Sequence, residues 1–82
     1  MRVEALLERI VCDSKVMVGK PTIQGTRLTV DYILKLLAYG ATPEEILAEY
    51  DGLAREDIQA CLLYASVYLA KAPCMPRTSE QA

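Results

Sequence analysis

The sequence predicts a mainly α fold: a three-helix, helix-turn-helix-like (winged-helix-like) core with a small N-terminal β element. In three segments after residue 29, apolar residues recur at helical spacing between capping and stop residues. Before them, β-branched residues flank a turn signal. Eighty-two residues leave room for one core, so we expect a single domain over residues 1–72 and a disordered tail over 73–82.

The N-terminal part combines both patterns. Residues 3–10, "VEALLERI", have apolar residues at the spacing of a short amphipathic helix. The following "RIVCDSKVMVG" favours short strands near 9–12 and 16–18 around an Asp13-Ser14 turn, with a third near 22–24. The sequence leaves their pairing open.

The first core helix is predicted over roughly residues 30–39. Thr29 is a good N-terminal cap, and Gly40 stands where a helix ends in a left-handed residue. The apolar stripe of this helix is Val30, Ile33, Leu34 and Leu37.

The second core helix starts at "TPEE". Thr42 is the cap, Pro43 fills the first helical position and Glu45 completes a capping box. Asp51-Gly52 ends the helix, and its buried face is predicted to be Ile46, Leu47 and Tyr50.

The third core helix is predicted from about Arg55 to Lys71, with Ala54 as a poor cap. We predict that its core stripe is Ile58, Leu62, Ala65 and Leu69. Residues 60–70 carry no charge, and a helix that is apolar all round must be covered all round. We therefore expect a homodimer through a second stripe; the alternative is that an N-terminal segment folds over it. The second stripe is Leu63, Tyr64, Val67 and Tyr68.

Composition restricts the classes of function. The chain has no histidine, and its three cysteines are widely spaced, which argues against a zinc site or a disulfide framework. We expect no catalytic, cofactor-binding or metal-binding residues, and no enzyme. No apolar run resembles a signal peptide or a membrane span, so we expect a cytoplasmic protein without membrane contact.

The stretch "GKPTIQGTR", residues 19–27, resembles a ligand loop. It is not a phosphate-binding P-loop, because Ser14 stands where that motif has glycine and Pro21 where it has Ser or Thr. We expect positive φ or close packing at both of its glycines and local backbone bonds from Thr26. For Arg27 we favour a structural role, such as a buried ion pair, over a contact with a partner.

DNA is a weak candidate as the sole partner. The helix after the turn offers Arg55 and Gln59 to bases, but Glu56 and Asp57 would face phosphate. The first forty residues hold six cations and four anions, whereas the remainder hold three cations and seven anions. Candidate contacts to a partner or to nucleic acid are Lys15, Lys20, Arg27 and Arg55.

Residues 9–65 resemble the bacterial and archaeal family called domain of unknown function 433. The resemblance is carried by the Gly-Lys-Pro-x-Ile-x-Gly-Thr-Arg core, the Pro-Glu-Glu-Ile-Leu helix and an Asp-Ile-x-Ala helix; one departure is Ala54, where the family commonly has Ser or Thr. The resemblance implies a helix-turn-helix-like antitoxin of a type II toxin–antitoxin system. The core motif falls on Gly19, Lys20, Pro21, Ile23, Gly25, Thr26 and Arg27.

An antitoxin of this kind would bind and neutralise a PIN-like ribonuclease toxin, and could repress its own operon together with that toxin. The alternatives are a stand-alone DNA-binding transcriptional regulator, weak in its DNA binding, and a structural dimerisation module.

Overall fold

A computed structural model describes residues 3–13, 15 and 19–74. The described chain is mainly helical, with a small antiparallel sheet near the N-terminus, which confirms the predicted fold class. The elements are α1 (Val3–Leu7), β1 (Ile10–Val11), β2 (Thr22–Ile23), α2 (Val30–Ala38), α3 (Pro43–Glu49) and α4 (Arg55–Lys71).

The sheet joins two strands that are separated along the chain. Ile10 pairs with Ile23 and Val11 with Thr22 in antiparallel register. Thr22 also forms a bridge to Thr29, which ties the sheet to the start of α2. The strand predicted at 16–18 lies outside the described residues, as does the part of the predicted tail beyond residue 74.

Local capping chemistry fixes the bounds of α2. The Thr29 hydroxyl accepts the backbone N–H of Tyr32, 3.2 Å away, and starts the helix. Its end is a Schellman motif around Gly40, which has a φ of +104°. There the Gly40 N–H donates to the carbonyl of Leu37 and the Ala41 N–H to that of Leu36.

The predicted capping box of α3 is present in full. Glu45 N–H donates to the Thr42 hydroxyl at 3.1 Å, and the Glu45 carboxylate accepts from the Thr42 N–H at 2.8 Å. Pro43 occupies the first helical position, as predicted. Helix α3 is therefore set at its N-terminus by local sequence.

Helix α4 is the element around which the others pack. It contacts α1, α2, α3 and β1. The buried core contains side chains from β2 and from all three long helices: Ile23, Val30, Ile33, Ile46, Ile58 and Cys61.

The prediction for the core face of α4 was wrong in its second half. Ile58 is buried, but Leu62 is 50% and Leu69 69% exposed. The buried row instead runs through Asp57 and Cys61 towards the half-buried Tyr64. A carboxylate occupies this row because Arg9 and the Ala54 N–H both donate to it, which the apolar pattern cannot reveal.

None of the described helices is long and apolar enough to cross a membrane.

Candidate functional site

The motif segment, residues 19–27, is an ordered connector held by its own backbone. Gly19 and Gly25 have φ values of +79° and +83°, as their positions in the motif predicted. The Thr26 hydroxyl donates to the carbonyl of Ile23 at 2.8 Å and accepts the N–H of Leu28 at 3.0 Å. The segment thus turns sharply after β2 and returns the chain to the start of α2.

The side chain of Arg27 projects from this turn into solvent. It is exposed and makes no hydrogen bond or ion pair to any described residue. The buried structural pairing that we favoured for Arg27 is therefore wrong. The other two described arginines, Arg9 and Arg55, each hold a carboxylate at 2.9 Å.

The four predicted contact cations do not form one patch. Lys20 lies 3.9 Å from Asp31 across the start of α2, and Arg55 is bonded to Glu44 at 2.9 Å. Lys15 and Arg27 line a single cleft together with Asp13, Gly25 and Thr26. The structure therefore leaves two of the four, Lys15 and Arg27, on one cleft without a carboxylate bonded to their side chains among the described residues.

The carboxylates of the two exposed ion pairs both have a lowered pKa. Arg55 donates to the carboxylate of Glu44 and lowers the pKa of Glu44 below its usual value. A hydrogen bond from Thr29 lowers the pKa of Asp31 below its usual value; burial opposes this effect, and the charge of Lys20 adds to it. Both carboxylates therefore stay ionised at neutral pH.

Sequence reasoning missed the buried pair between Arg9 and Asp57. Arg9 Nη1 donates to Asp57 Oδ1 at 2.9 Å, and Asp57 Oδ2 accepts the backbone N–H of Ala54, also at 2.9 Å. Asp57, which was expected to face phosphate, is only 7% exposed. Its position three residues after an uncapped Ala54 was the available signal, because an acid there can reach back to the cap N–H.

A second surface is formed by the C-terminal half of α4. Here Leu62, Tyr68 and Leu69 are exposed, and Tyr68 stacks on Tyr64 with ring centroids 6.1 Å apart. We call these residues, Leu62, Tyr64, Tyr68 and Leu69, the α4 apolar face.

Two grooves flank the α4 apolar face. One, of about 530 Å³, runs between α4 and the start of α2, past Leu34 and Tyr68. The other, of about 330 Å³, lies between α4 and α1, past Leu6 and Leu63. Helix α1 packs on α4, so the alternative of an N-terminal cover holds for one side of the helix.

The predicted interface residues differ in exposure. Leu63, Tyr64 and Val67 are half-buried within the chain itself, whereas Tyr68 is 68% exposed. Burial, then a hydrogen bond with Cys12, raises the pKa of the Tyr64 hydroxyl above its usual value. This tyrosine is therefore neutral at physiological pH.

Within the part of the chain that the structure describes, no group of three or more Cys, Asp or Glu is placed to hold a metal ion. Cys61 is fully buried, and burial followed by the charge of Asp57 raises the pKa of its thiol to about 12. That thiol is un-ionised at neutral pH and unsuited to act as a nucleophile.

Comparison with known protein families shows which family the chain belongs to. The family described as "Protein of unknown function (DUF433)" matches residues 10–65, more than half of the chain. The chain belongs to the DUF433 family. The matched range runs from β1 into α4; it contains Lys15, Arg27 and Asp57 and ends before Tyr68 and Leu69.

One curated protein that resembles the chain has no assigned function. An uncharacterised protein of Archaeoglobus fulgidus is 72% identical over 25 residues, which are 30% of this chain and 69% of the archaeal one. No solved structure matches the chain.

Proposed function

We propose that this DUF433 chain is the antitoxin of a type II toxin–antitoxin pair, and that it binds and blocks a PIN-like ribonuclease in the cytoplasm. The observation that carries the proposal is the acidic outer surface of α3 and the turn after it. Glu44, Glu45, Glu49 and Asp51 are all exposed there. A ribonuclease binds the RNA backbone through cations, and a rigid row of carboxylates competes for those same cations.

The acidic surface has a fixed shape. The capping box holds the first turn of α3, and Ile46 anchors the helix in the core at 2% exposure. The Glu44–Arg55 bond links it to α4. A surface that is ordered before binding loses little conformational entropy when the partner docks, which favours tight neutralisation.

We further propose that the antitoxin is a homodimer through the α4 apolar face. Three large apolar side chains that are at least half exposed, Leu62, Tyr68 and Leu69, lie in the second half of one helix. Exposed apolar surface marks an interaction site, and a chain of this size gains stability by burying it. Tyr68 and Leu69 would lie at the centre of the dimer, with Tyr64 and Val67 at its edge.

Stand-alone recognition of duplex DNA is the less well supported function. Arg55, the cation at the start of the candidate recognition helix, is already bonded to Glu44. The exposed glutamates of α3 lie next to that helix and would repel phosphate. A promoter shift that needs the ribonuclease present would fit the antitoxin; a shift by this chain alone would favour the regulator.

The decisive test of the toxin contact is co-expression with the product of the adjacent gene. We expect the two chains to co-purify and the toxicity of the nuclease to be suppressed. Glu49→Lys combined with Asp51→Lys should weaken both effects, with a slower association rate. Glu8→Lys, an exposed charge reversal directly after α1, is the matched control and should leave both intact.

The dimer has a separate test. Sedimentation equilibrium should give a dimer at micromolar concentration, and Tyr68→Ser with Leu69→Ser should give a folded monomer. Tyr39→Ser removes another tyrosine, 80% exposed at the end of α2, and should leave the dimer unchanged. A monomeric wild-type chain would rule out the dimer while leaving the toxin contact to its own experiment.

A further inference from the structure

Arg27 stands between two clefts of different chemistry. On one side is the cleft of about 590 Å³ that it shares with Lys15, Thr26 and Gly25. On the other is a cleft of about 300 Å³ that it shares with Tyr32 and Tyr50. One exposed guanidinium therefore joins a cationic cleft to an aromatic one.

The cationic cleft suits a phosphate group. Lys15 and Arg27 both line it, and neither side chain bonds a carboxylate within the described residues. A Cβ built on Gly25 would meet nothing within 4 Å, so the backbone edge there is open to a ligand. Asp13 also lines the cleft, but its carboxylate accepts the backbone N–H of Lys15 at 2.9 Å. The net charge of the cleft is one positive unit, which predicts modest and salt-sensitive affinity.

The aromatic cleft suits a planar base. The hydroxyls of Tyr32 and Tyr50 are bonded at 2.7 Å, and their rings meet edge to face with centroids 6.3 Å apart. This bond fixes the two rings relative to each other, and Tyr32 is still 40% exposed. A fixed, partly exposed aromatic ring is a platform on which an unpaired base can stack.

We propose that this surface, Lys15, Arg27, Tyr32 and Tyr50, binds single-stranded nucleic acid. Two successive phosphates lie against Arg27 and Lys15, and a neighbouring base stacks on the Tyr32–Tyr50 pair. Duplex DNA fits the surface poorly, because its bases are stacked inside the helix and two cations are a small footprint for it. An acidic peptide would use the cationic cleft and leave the tyrosines without a ligand. The two proposed surfaces meet at Tyr50, which lies between Glu49 and Asp51, whereas Lys15, Arg27 and Tyr32 lie outside the toxin contact.

The test measures binding affinity by fluorescence anisotropy. The probe is a short labelled single strand of mixed sequence, prepared both as RNA and as DNA. The same sequence as a duplex and an oligoglutamate peptide are the comparison ligands. With two phosphates neutralised, the slope of log K against log salt should be about −1.4, from roughly −0.7 per phosphate on a single strand. Arg27→Ala should bring it to about −0.7. Lys35→Ala removes an exposed α2 cation that lines neither cleft and should leave the slope unchanged.

Two variants test the aromatic cleft separately. Tyr32→Ala should weaken single-strand binding about tenfold, the loss expected for one base stack. Tyr32→Phe keeps the ring but loses the bond to Tyr50, so it should bind more tightly than Tyr32→Ala and more weakly than the wild-type chain. RNA and DNA strands that bind equally would assign the site to phosphate and base alone, whereas tighter RNA binding would add a contact to the 2′-hydroxyl. Any of four results would overturn the proposal: no single-strand binding at low salt, equal binding by Arg27→Ala and Lys35→Ala, tighter binding of the duplex, or binding of the peptide instead of the oligonucleotide.

Discussion

Asp57→Ala tests the buried pair that fixes the start of α4. The carboxylate makes two bonds of 2.9 Å, one to the guanidinium of Arg9 and one to the N–H of Ala54, while its side chain is 9% exposed. Loss of the cap costs about 1 kcal/mol. Loss of a hydrogen bond to a charged group costs about 1.5 kcal/mol or more. Arg9 is 40% exposed and can turn to water, so no buried charge remains to add to this.

The expected destabilisation of Asp57→Ala is therefore about 2–3 kcal/mol, which for a domain of this size lowers Tm by roughly 10–20 °C. Urea denaturation followed by circular dichroism gives the free energy of unfolding, and a thermal scan gives Tm. Glu44→Ala is the matched control. It breaks an ion pair with the same 2.9 Å separation, but both partners are more than half exposed, so little change is expected. Equal destabilisation by the two variants would refute the argument that burial gives the Arg9–Asp57 pair its strength.

Three further predictions follow from single residues. Gly25→Ala should lower the free energy of unfolding by about 1 kcal/mol, because alanine is strained at a φ of +83° even though space is open there; an unchanged urea midpoint would contradict this. Thr42→Ala should remove the capping box of α3 and cost about 1 kcal/mol in the same assay. Cys61 should resist a thiol reagent at pH 8 in the native protein and react in urea, while the exposed Cys12 reacts in both. The pKa of the Cys61 thiol is raised to about 12 in the folded state. At a pH between the ordinary thiol pKa and 12, the folded state therefore keeps this proton and the unfolded state loses it. Its contribution to stability should therefore fall as pH rises above its ordinary pKa towards 12, and Cys61→Ala should remove that part of the pH dependence.

The helices were predictable because their ends depend on neighbouring residues. Thr29, Gly40 and Thr42 act on backbone groups within a few positions, so the sequence alone places the starts of α2 and α3. The bounds of α4 were also predicted correctly, although the reason for its start was not. Ala54 is held by Asp57, whose orientation depends on a partner 48 residues away.

The parts that sequence could not give depend on long-range packing. The register of Ile10 with Ile23 is set by two short strands far apart along the chain. Which face of the apolar α4 helix is buried depends on where α1 and β1 pack, so the periodicity could not choose between Leu62 and Cys61. Tyr32 and Tyr50 come together only when α2 and α3 are folded, and the motif around Arg27 gives no sign of them.

The most direct test of the proposed function is a titration of the purified product of the adjacent gene, as the proposed ribonuclease, with this chain, with cleavage of an RNA substrate as the readout. We predict that activity falls linearly to near zero at a fixed stoichiometry, and that the Glu49→Lys, Asp51→Lys variant needs a large excess to reach the same inhibition. Full ribonuclease activity in the presence of excess wild-type chain would contradict the antitoxin assignment.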